Sequence, residues 1–364
     1  MSETTPQRTA IILFNLGGPD SQEAVKPFLF NLFYDPAIIR LPKPLRWLVA
    51  KLISSRRAPV AQKIYAEMGG GSPILPNTVA QARALEAALG EGHKCFIAMR
   101  YWKPRVAEVV QQLAAYKPDR VVLLPLYPQF STTTTQSSVT EFMAELMQQF
   151  LWLNQHWPER APVRFSTVWC YPLQHGFIKA QVALIRPLLE QASKLGKPRL
   201  LLSAHGLPEK VITDGDPYQW QCEQTAHAII AELNIEGLDW LNCYQSRVGP
   251  MKWIGPSTES EVERAGHDKV PVVLAPIAFV SEHSETLVEL DIEYRELAQQ
   301  RGVPGYFRAG TVSAQPEFIA GLAQLVRQYL AGDEQTRICP PEFTACPCRV
   351  AGTKTTEPVF AVGI

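Results

Sequence analysis

The residues best equipped for chemistry are one histidine and a row of acids. His205 ends an apolar run, Leu201-Leu202-Ser203-Ala204, and precedes Gly206, Leu207 and Pro208. That pattern puts it at the carboxyl end of a strand, where a neutral imidazole can take a proton near pH 7 or ligate a metal. Alone, it reads equally well as a histidine that bonds a turn. A second segment shifts the balance: Phe279-Val280-Ser281-Glu282-His283-Ser284-Glu285 runs on into Thr286-Leu287-Val288-Glu289-Leu290-Asp291. With a helix starting near Ser281, Glu282, Glu285 and Glu289 stand at i, i+3 and i+7 and share a face. Neighbouring carboxylates repel when ionised, which raises some of their pKa values and equips the row to bind a divalent cation or relay protons. The plainer account is that acids favour a helix N-terminus. It covers Glu282 and Glu285 but covers Glu289 and Asp291 poorly. Phe279, Val280 and Leu287 supply an apolar surround.

Cysteine is the second chemical signal. Of seven cysteines, those at 95, 170, 222 and 243 are scattered, while Cys339, Cys346 and Cys348 lie within ten residues. Thiolates that close read as zinc or iron–sulfur ligands, with a fourth from elsewhere, and spacing leaves both metals open. The odd count, and an N-terminus without a basic segment followed by an apolar run, argue against a disulfide framework and a signal peptide.

Three further stretches suit ligand contact. Residues 242–256 mix Arg247, Lys252 and Trp253 between Gly/Pro turns, as does Met99-Arg100-Tyr101-Trp102-Lys103-Pro104. Such loops grip flat anionic ligands, or simply cover a core. Residues 27–57 are aromatic and amphipathic, with six basic and no acidic residues from Arg40 to Arg57. That fits an element lying in a membrane interface, the alternative being a core helix with a solvated basic face. Gly69-Gly70-Gly71-Ser72-Pro73 lacks the Lys-Ser/Thr ending of a phosphate loop and follows no strand, so it reads as a turn with close backbone approach.

These groups need a scaffold. Lys plus Arg equals Asp plus Glu at 35 each, so the chain is not a basic nucleic-acid binder. No apolar stretch reaches the roughly 18–20 residues that span a bilayer, and we expect a cytoplasmic protein that touches a membrane. Apolar, β-branched runs at 10–15, 95–99, 120–125, 163–168, 199–203, 240–244 and 270–275 alternate with helical periods at 78–89, 106–116, 219–233 and 284–301. That alternation implies an α/β fold with doubly wound parallel sheets, whose ligands bind at the carboxyl ends of the strands. The halves echo each other. Ile12-Leu13-Phe14-Asn15-Leu16-Gly17-Gly18-Pro19 is matched by Leu201 to Pro208, and Val121 to Pro128 by Val272 to Phe279. The expectation is two similar Rossmann-like domains facing a cleft.

The segments at 13–19, 69–74, 124–131, 203–208, 245–250 and 276–294 resemble ferrochelatases in order and spacing, over about residues 11–329. The resemblance implies insertion of Fe²⁺ into protoporphyrin IX with loss of two protons, giving protohaem. It implies residues 1–168 as a first domain with a hydrophobic lip at about 27–57. Residues 169–310 would form a second, carrying the His/Glu site, and 311–364 a helix returning to the first domain plus the tail. His205 looks like the family's active-site histidine and Glu285 its facing carboxylate, with Glu282 and Glu289 as the acidic path behind. Arg100, Tyr101, Phe279, Trp253, Tyr65, Ser72 and Leu16 match pocket or lip positions. Some bacterial members resemble the spacing of Cys339, Cys346 and Cys348, with an internal fourth ligand, for which we select Cys170. The implied cofactor is a 2Fe–2S cluster. The implied partners are porphyrin, Fe²⁺ and the inner-membrane surface, with no nucleic acid, and a homodimer is compatible with the chain. Rival readings are a chelatase for another metal or tetrapyrrole, a porphyrin carrier without catalysis, and a periplasmic-type binding protein.

Overall fold

The structure is a computed structural model that describes residues 7–154, 163–247, 251–333 and 336–348. Residues 1–6, Val248, Gly249 and Pro250 of the 242–256 loop, and the tail beyond Cys348 lie outside the described residues.

Strands β1 (Thr9–Asn15), β2 (His93–Met99), β3 (Arg120–Pro125) and β4 (Arg164–Thr167) form a parallel sheet in the order β2-β1-β3-β4. Strands β5 (Arg199–His205), β6 (Asp239–Gln245), β7 (Val272–Pro276) and β8 (Tyr306–Arg308) form a second, in the order β6-β5-β7-β8. The echo in the sequence is therefore a repeated topology. In each sheet the order reverses beside the first strand, between β1 and β3 and again between β5 and β7, which opens the crevice where such sheets take ligands. Residues of β1 and β7 are buried throughout, and those of β5 up to His205, because helices cover both faces. Strand β8 has no counterpart among the expected strands. Its three half-buried residues are too few to show a period.

Helices α1 (Val25–Tyr34) and α2 (Lys43–Glu67) pair as the lip, and α3 (Ile74–Leu89), α4 (Val106–Tyr116) and α5 (Thr135–Asn154) belong to the first half. Helices α6 (His175–Ala192), α7 (Glu209–Thr213), α8 (Tyr218–Leu233), α9 (Thr258–Asp268), α10 (Ser284–Leu287), α11 (Tyr294–Gln300) and α12 (Pro316–Ala331) follow, with a π-helical turn at Glu289–Glu293 between α10 and α11. Helix α6 packs on β7 and β8, whereas α12 crosses back to α3, β3 and β4 and also packs on α6. One buried cluster thus joins Leu13 and Leu124 of the first sheet to Leu202 and Val273 of the second, through Phe177 and Ile185 of α6 and Phe318 and Leu322 of α12.

The helix expected over 284–301 is broken. Both Ile292 and Glu293 donate backbone N–H groups to Val288 O at 2.9 Å, which inserts a residue into the turn. Its start is also later than Ser281. His283 is extended, its N–H bonded to Thr286 Oγ1 at 3.0 Å, and the preceding residues are fastened to α3 instead. Gln81 Nε2 donates to Val280 O at 2.8 Å and to Ser313 O at 3.0 Å, and Ser281 Oγ donates to Gln81 Oε1 at 3.0 Å. Asn15, at the end of β1, donates to Thr78 Oγ1 at 3.0 Å and Ser281 Oγ at 3.4 Å. The carboxyl ends of both sheets are thereby stitched to one helix.

Candidate active site

His205 closes β5 and faces the segment that follows β7. The chain can turn there because position 206 is glycine. A Cβ on Gly206 would come within 2.9 Å of Gln245 O and 3.4 Å of the Trp253 ring, while its N–H donates to Gln245 O at 2.8 Å. His205 Nδ1 lies 2.9 Å from Glu285 Oε2, with side chains 34% and 29% exposed. Nδ1 is thus engaged by Glu285, and Nε2 is left for an incoming group. Burial works to lower the pKa of His205, but the charge of Glu285, its hydrogen bond and the charge of Glu289 outweigh it and raise the value. Burial likewise works to raise Glu285, and the charge and hydrogen bond of His205, with help from His283, hold it well below the carboxylate range.

His283 was not singled out by the sequence, yet it completes the group. It is buried, with Nε2 3.8 Å from the same Glu285 oxygen and Nδ1 3.1 Å from Ser281 O. A carbonyl only accepts, so Nδ1 donates to Ser281 O, and Nε2 is the ring nitrogen turned to Glu285. Phe279 meets His205 edge-on at 6.4 Å and His283 at 4.6 Å between ring centres, and so closes the apolar side of the pair.

Glu289 stands behind, in the π-helical turn. It accepts from Gln245 Nε2 at 3.1 Å, Ser246 N at 2.7 Å, the Ser246 hydroxyl and the Tyr294 hydroxyl at 3.0 Å. Burial and the charge of Glu285 raise its pKa, and these donors restrain the rise. Gln245 also donates to Glu285 O at 2.8 Å, which ties the two acids to β6. Glu282 does not join this row. Since the helix begins only at Ser284, its carboxylate turns to Arg308 Nη1 at 2.6 Å and Thr311 N at 3.0 Å, and Arg308 also pairs with Asp291. Among the described residues, no three His, Cys, Asp or Glu side chains converge as a single-metal site requires.

Other expected pocket residues divide into two sets. Tyr65 of α2 reaches the acid segment. Its hydroxyl bonds Ser284, and burial pushes its pKa up to about 12. Trp253 bridges Pro208 beside Gly206, and Ser72 donates its N–H to Pro19 O at 2.7 Å while packing so close to Gly18 that a Cβ there would meet it at 2.5 Å. Gly71 is equally tight, its added Cβ falling 2.9 Å from Asp20 O, whereas Gly69 and Gly70 face open space and serve the turn through their positive φ of 87° and 101°. Leu16 packs under the lip with Phe28, Leu29 and Tyr65. Arg100 and Tyr101 are spent elsewhere. Asp35, which follows α1, accepts from Arg100 Nη2 at 2.8 Å, from the Tyr101 hydroxyl at 2.7 Å and from Ser137 Oγ at 2.7 Å. Arg100 also pairs with Glu141 at 2.9 Å. These two side chains anchor the lip. Lys252 likewise pairs with Glu209 at 2.8 Å.

The lip presents Leu45, Trp47, Leu48 and Leu52 exposed on α2 beside Lys43, Lys51, Arg56 and Arg57. Among the described residues, no helix is long and apolar enough to cross a membrane.

The cysteines converge. Cys170, Cys339, Cys346 and Cys348 form one buried cluster with Phe130, edged by Trp169, Trp220, Ile338 and Phe343. Cys170 Sγ lies 3.7 Å from Cys348 Sγ, and bonds run from Cys339 to Cys346 and from Cys346 to Cys348. Sharing protons along this chain pushes the Cys339 and Cys348 thiols up and that of Cys346 down. Cys95, Cys222 and Cys243 stand apart from it, and burial raises all three.

A model of the ferrochelatase family matches residues 8–330. The ferrochelatase of Caulobacter vibrioides (strain NA1000 / CB15N) is 52% identical over 354 residues, covering 94% of this chain and 98% of that protein. That of Pelagibacter ubique (strain HTCC1062) is 47% identical over 352 residues, covering 94% and 98%. That of Wolbachia sp. subsp. Drosophila simulans (strain wRi) is 52% identical over 322 residues, covering 87% and 98%. With a His–Glu pair at the switch point of one of two matching sheets, and relatives of this similarity along nearly its whole length, the chain belongs to the ferrochelatase family.

Proposed function

We propose that this ferrochelatase inserts Fe²⁺ into protoporphyrin IX to form protohaem, and that His205 and Glu285 carry the proton chemistry. The observation that carries this reading is the 2.9 Å contact of His205 Nδ1 with Glu285 at a sheet switch point, where both side chains are partly exposed. Insertion releases two N–H protons as the metal enters, so a base must stand on one face of the ring. His205 Nε2 is that base, and Glu285 stabilises the imidazolium it becomes. His283 holds the Glu285 oxygen from the other side, and Glu289 supplies the next acceptor inward. A planar porphyrin hides its nitrogen lone pairs. Apolar contact with Phe279, Trp253, Tyr65 and Leu16 across the cleft provides binding energy that offsets bending the ring. Hydrated Fe²⁺, as substrate, exchanges water for carboxylate and imidazole donors here. Anaerobic mixing with Fe²⁺ and protoporphyrin IX tests this. Porphyrin fluorescence falls and haem absorbance rises with the wild type and not with His205→Ala, and equal turnover in both would reject the role of His205.

The exposed apolar and basic face of α2 supports docking on an anionic membrane surface, with the protein cytoplasmic and peripheral to the inner membrane. A domain boundary at residues 168 and 169 is supported by the link there between β4 and α6. Cys170, Cys339, Cys346 and Cys348 fit a 2Fe–2S cluster. The donor set is four buried thiols within reach of one another, the all-cysteine ligation that such clusters take. When bound, the cluster would supply a one-electron centre held by these four cysteines. Visible iron–sulfur absorbance and labile sulfide in the anaerobic protein test it, and their lack would sink it.

A further inference from the structure

Gln221 of α8 is fully buried and plays no part in the insertion site. Its amide orientation is fixed at one end, because Phe130 N–H donates to Oε1 at 2.8 Å and an N–H can meet only the oxygen. The NH₂ group is therefore aimed the other way, and Nε2 lies 3.1 Å from Cys339 Sγ and 3.5 Å from Cys170 Sγ. One side chain thus spans two of the four thiols, one from the middle of the chain and one from the tail. Phe130, Trp169, Trp220 and Phe343 surround the spot and keep the local dielectric low, so each N–H···S bond acts at nearly full strength. The nearby cation, Arg337, gives its hydrogen bonds to the backbone carbonyls of Cys339, Pro340 and Phe343 and reaches the thiols by its charge alone.

We infer that Gln221 tunes the four-cysteine site, donating to Cys170 and Cys339 so that the cluster they hold is more easily reduced. This rests on the cysteines holding a cluster. Hydrogen bonds to ligand sulfur stabilise the extra negative charge of the reduced state, and so raise the reduction potential. Gln221 is a positioning residue, since it acts through its ligands.

The test uses the full chain, purified anaerobically, as wild type, Gln221→Glu and Gln221→Leu. Iron and labile sulfide are counted, and the midpoint potential is read by spectroelectrochemistry. Glu keeps an acceptor for Phe130 N–H but presents a carboxylate to the sulfurs, while Leu removes both interactions. The expected result is full iron and sulfide in Gln221→Glu and a potential shifted to more negative values, with a smaller negative shift in Gln221→Leu. Unchanged potentials in variants that hold full iron and sulfide would overturn the role of Gln221 and leave the cluster reading standing. A wild type without iron and sulfide would overturn both. Should Gln221→Leu fail to fold, Gln221→Glu decides alone. Loss of the cluster from both variants with helical content intact would also overturn a tuning role.

Discussion

Replacing Asp35 by alanine should loosen the lip from the body of the protein, and the cost can be worked from its contacts. One carboxylate oxygen accepts from Arg100, Tyr101 and Ser137, and the other from Ala37 N at 2.8 Å. Breaking a buried ion pair by removing one partner costs roughly 3–5 kcal/mol. Arg100 keeps Glu141 at 2.9 Å and Ser137 Oγ at 2.8 Å, so Asp35→Ala should fall near the low end, at about 3 kcal/mol. The Tyr101 hydroxyl, on a side chain without solvent access, is then left unpaired, which accounts for about 1 kcal/mol of that total. Tyr101→Phe alone should therefore cost about 1 kcal/mol, and Asp35→Ala should cost about 1 kcal/mol less in the Tyr101→Phe background than in the wild type. Urea denaturation of the four proteins closes the cycle. If Asp35→Ala cost under about 1 kcal/mol, like an exposed pair, the anchor would be refuted. So would a Tyr101→Phe protein with wild-type stability and a raised KM for porphyrin, which would restore a pocket role for Tyr101.

Three more outcomes are expected. His205→Ala should lower kcat about 10²- to 10⁴-fold while porphyrin still binds by fluorescence titration, and loss of porphyrin binding would point to a scaffold role instead. Glu285→Gln should show a pH-dependent stability deficit. The raised pKa of His205 gives a contribution that is whole below the ordinary imidazole value of 6.5 and is lost as pH rises through the raised one. The depressed Glu285 contributes above the ordinary 4.5 and fades as pH falls through its lowered value. The deficit should thus peak between 4.5 and 6.5, and thermal melts that differ equally from pH 4 to 9 would contradict the pairing. Combined Trp47→Ser, Leu48→Ser and Leu52→Ser should weaken sedimentation with anionic liposomes at least about ten-fold, which needs only about 1.4 kcal/mol from three half-exposed side chains. Turnover with detergent-dispersed porphyrin should hold, and matched sedimentation would remove the membrane role.

Among the described residues, seven of eight strands were legible; β1, β3, β5 and β7 stood out because they are buried on both faces and read as nearly unbroken apolar runs, as Ile11 to Phe14 and Leu200 to Leu202 do. Strand β8 was not, for it lies at an edge and has only three residues. The acid row was half legible. Glu285 and Glu289 follow the helical spacing, but Gln81 and Asn15, 200 and 266 residues from Ser281, hold the preceding segment extended, and Glu282 turns to Arg308. His283 was hidden among the acids, although a second imidazole two residues before a candidate carboxylate was a signal available in the sequence. Arg100 and Tyr101 look like ligand contacts because their partners, Asp35, Ser137 and Glu141, lie far off in the chain, where no local pattern points to them. Cys170 is brought to the tail across 178 residues, which spacing alone does not reveal.

The return of α12 to the first sheet bears on how the chain matures during translation. The N-terminal half has its four strands once Thr167 has left the ribosome, yet part of the cover over one side of β3 and β4 comes from a helix that ends at Ala331. Until then Leu85, Val122 and Tyr171 of that side have no Phe318 or Leu322 to meet, so apolar surface stays exposed while the second half is made. The tail cysteines emerge later still. Cys170 waits 178 residues for Cys348, so the four-thiol site can be assembled only after that part of the tail has emerged.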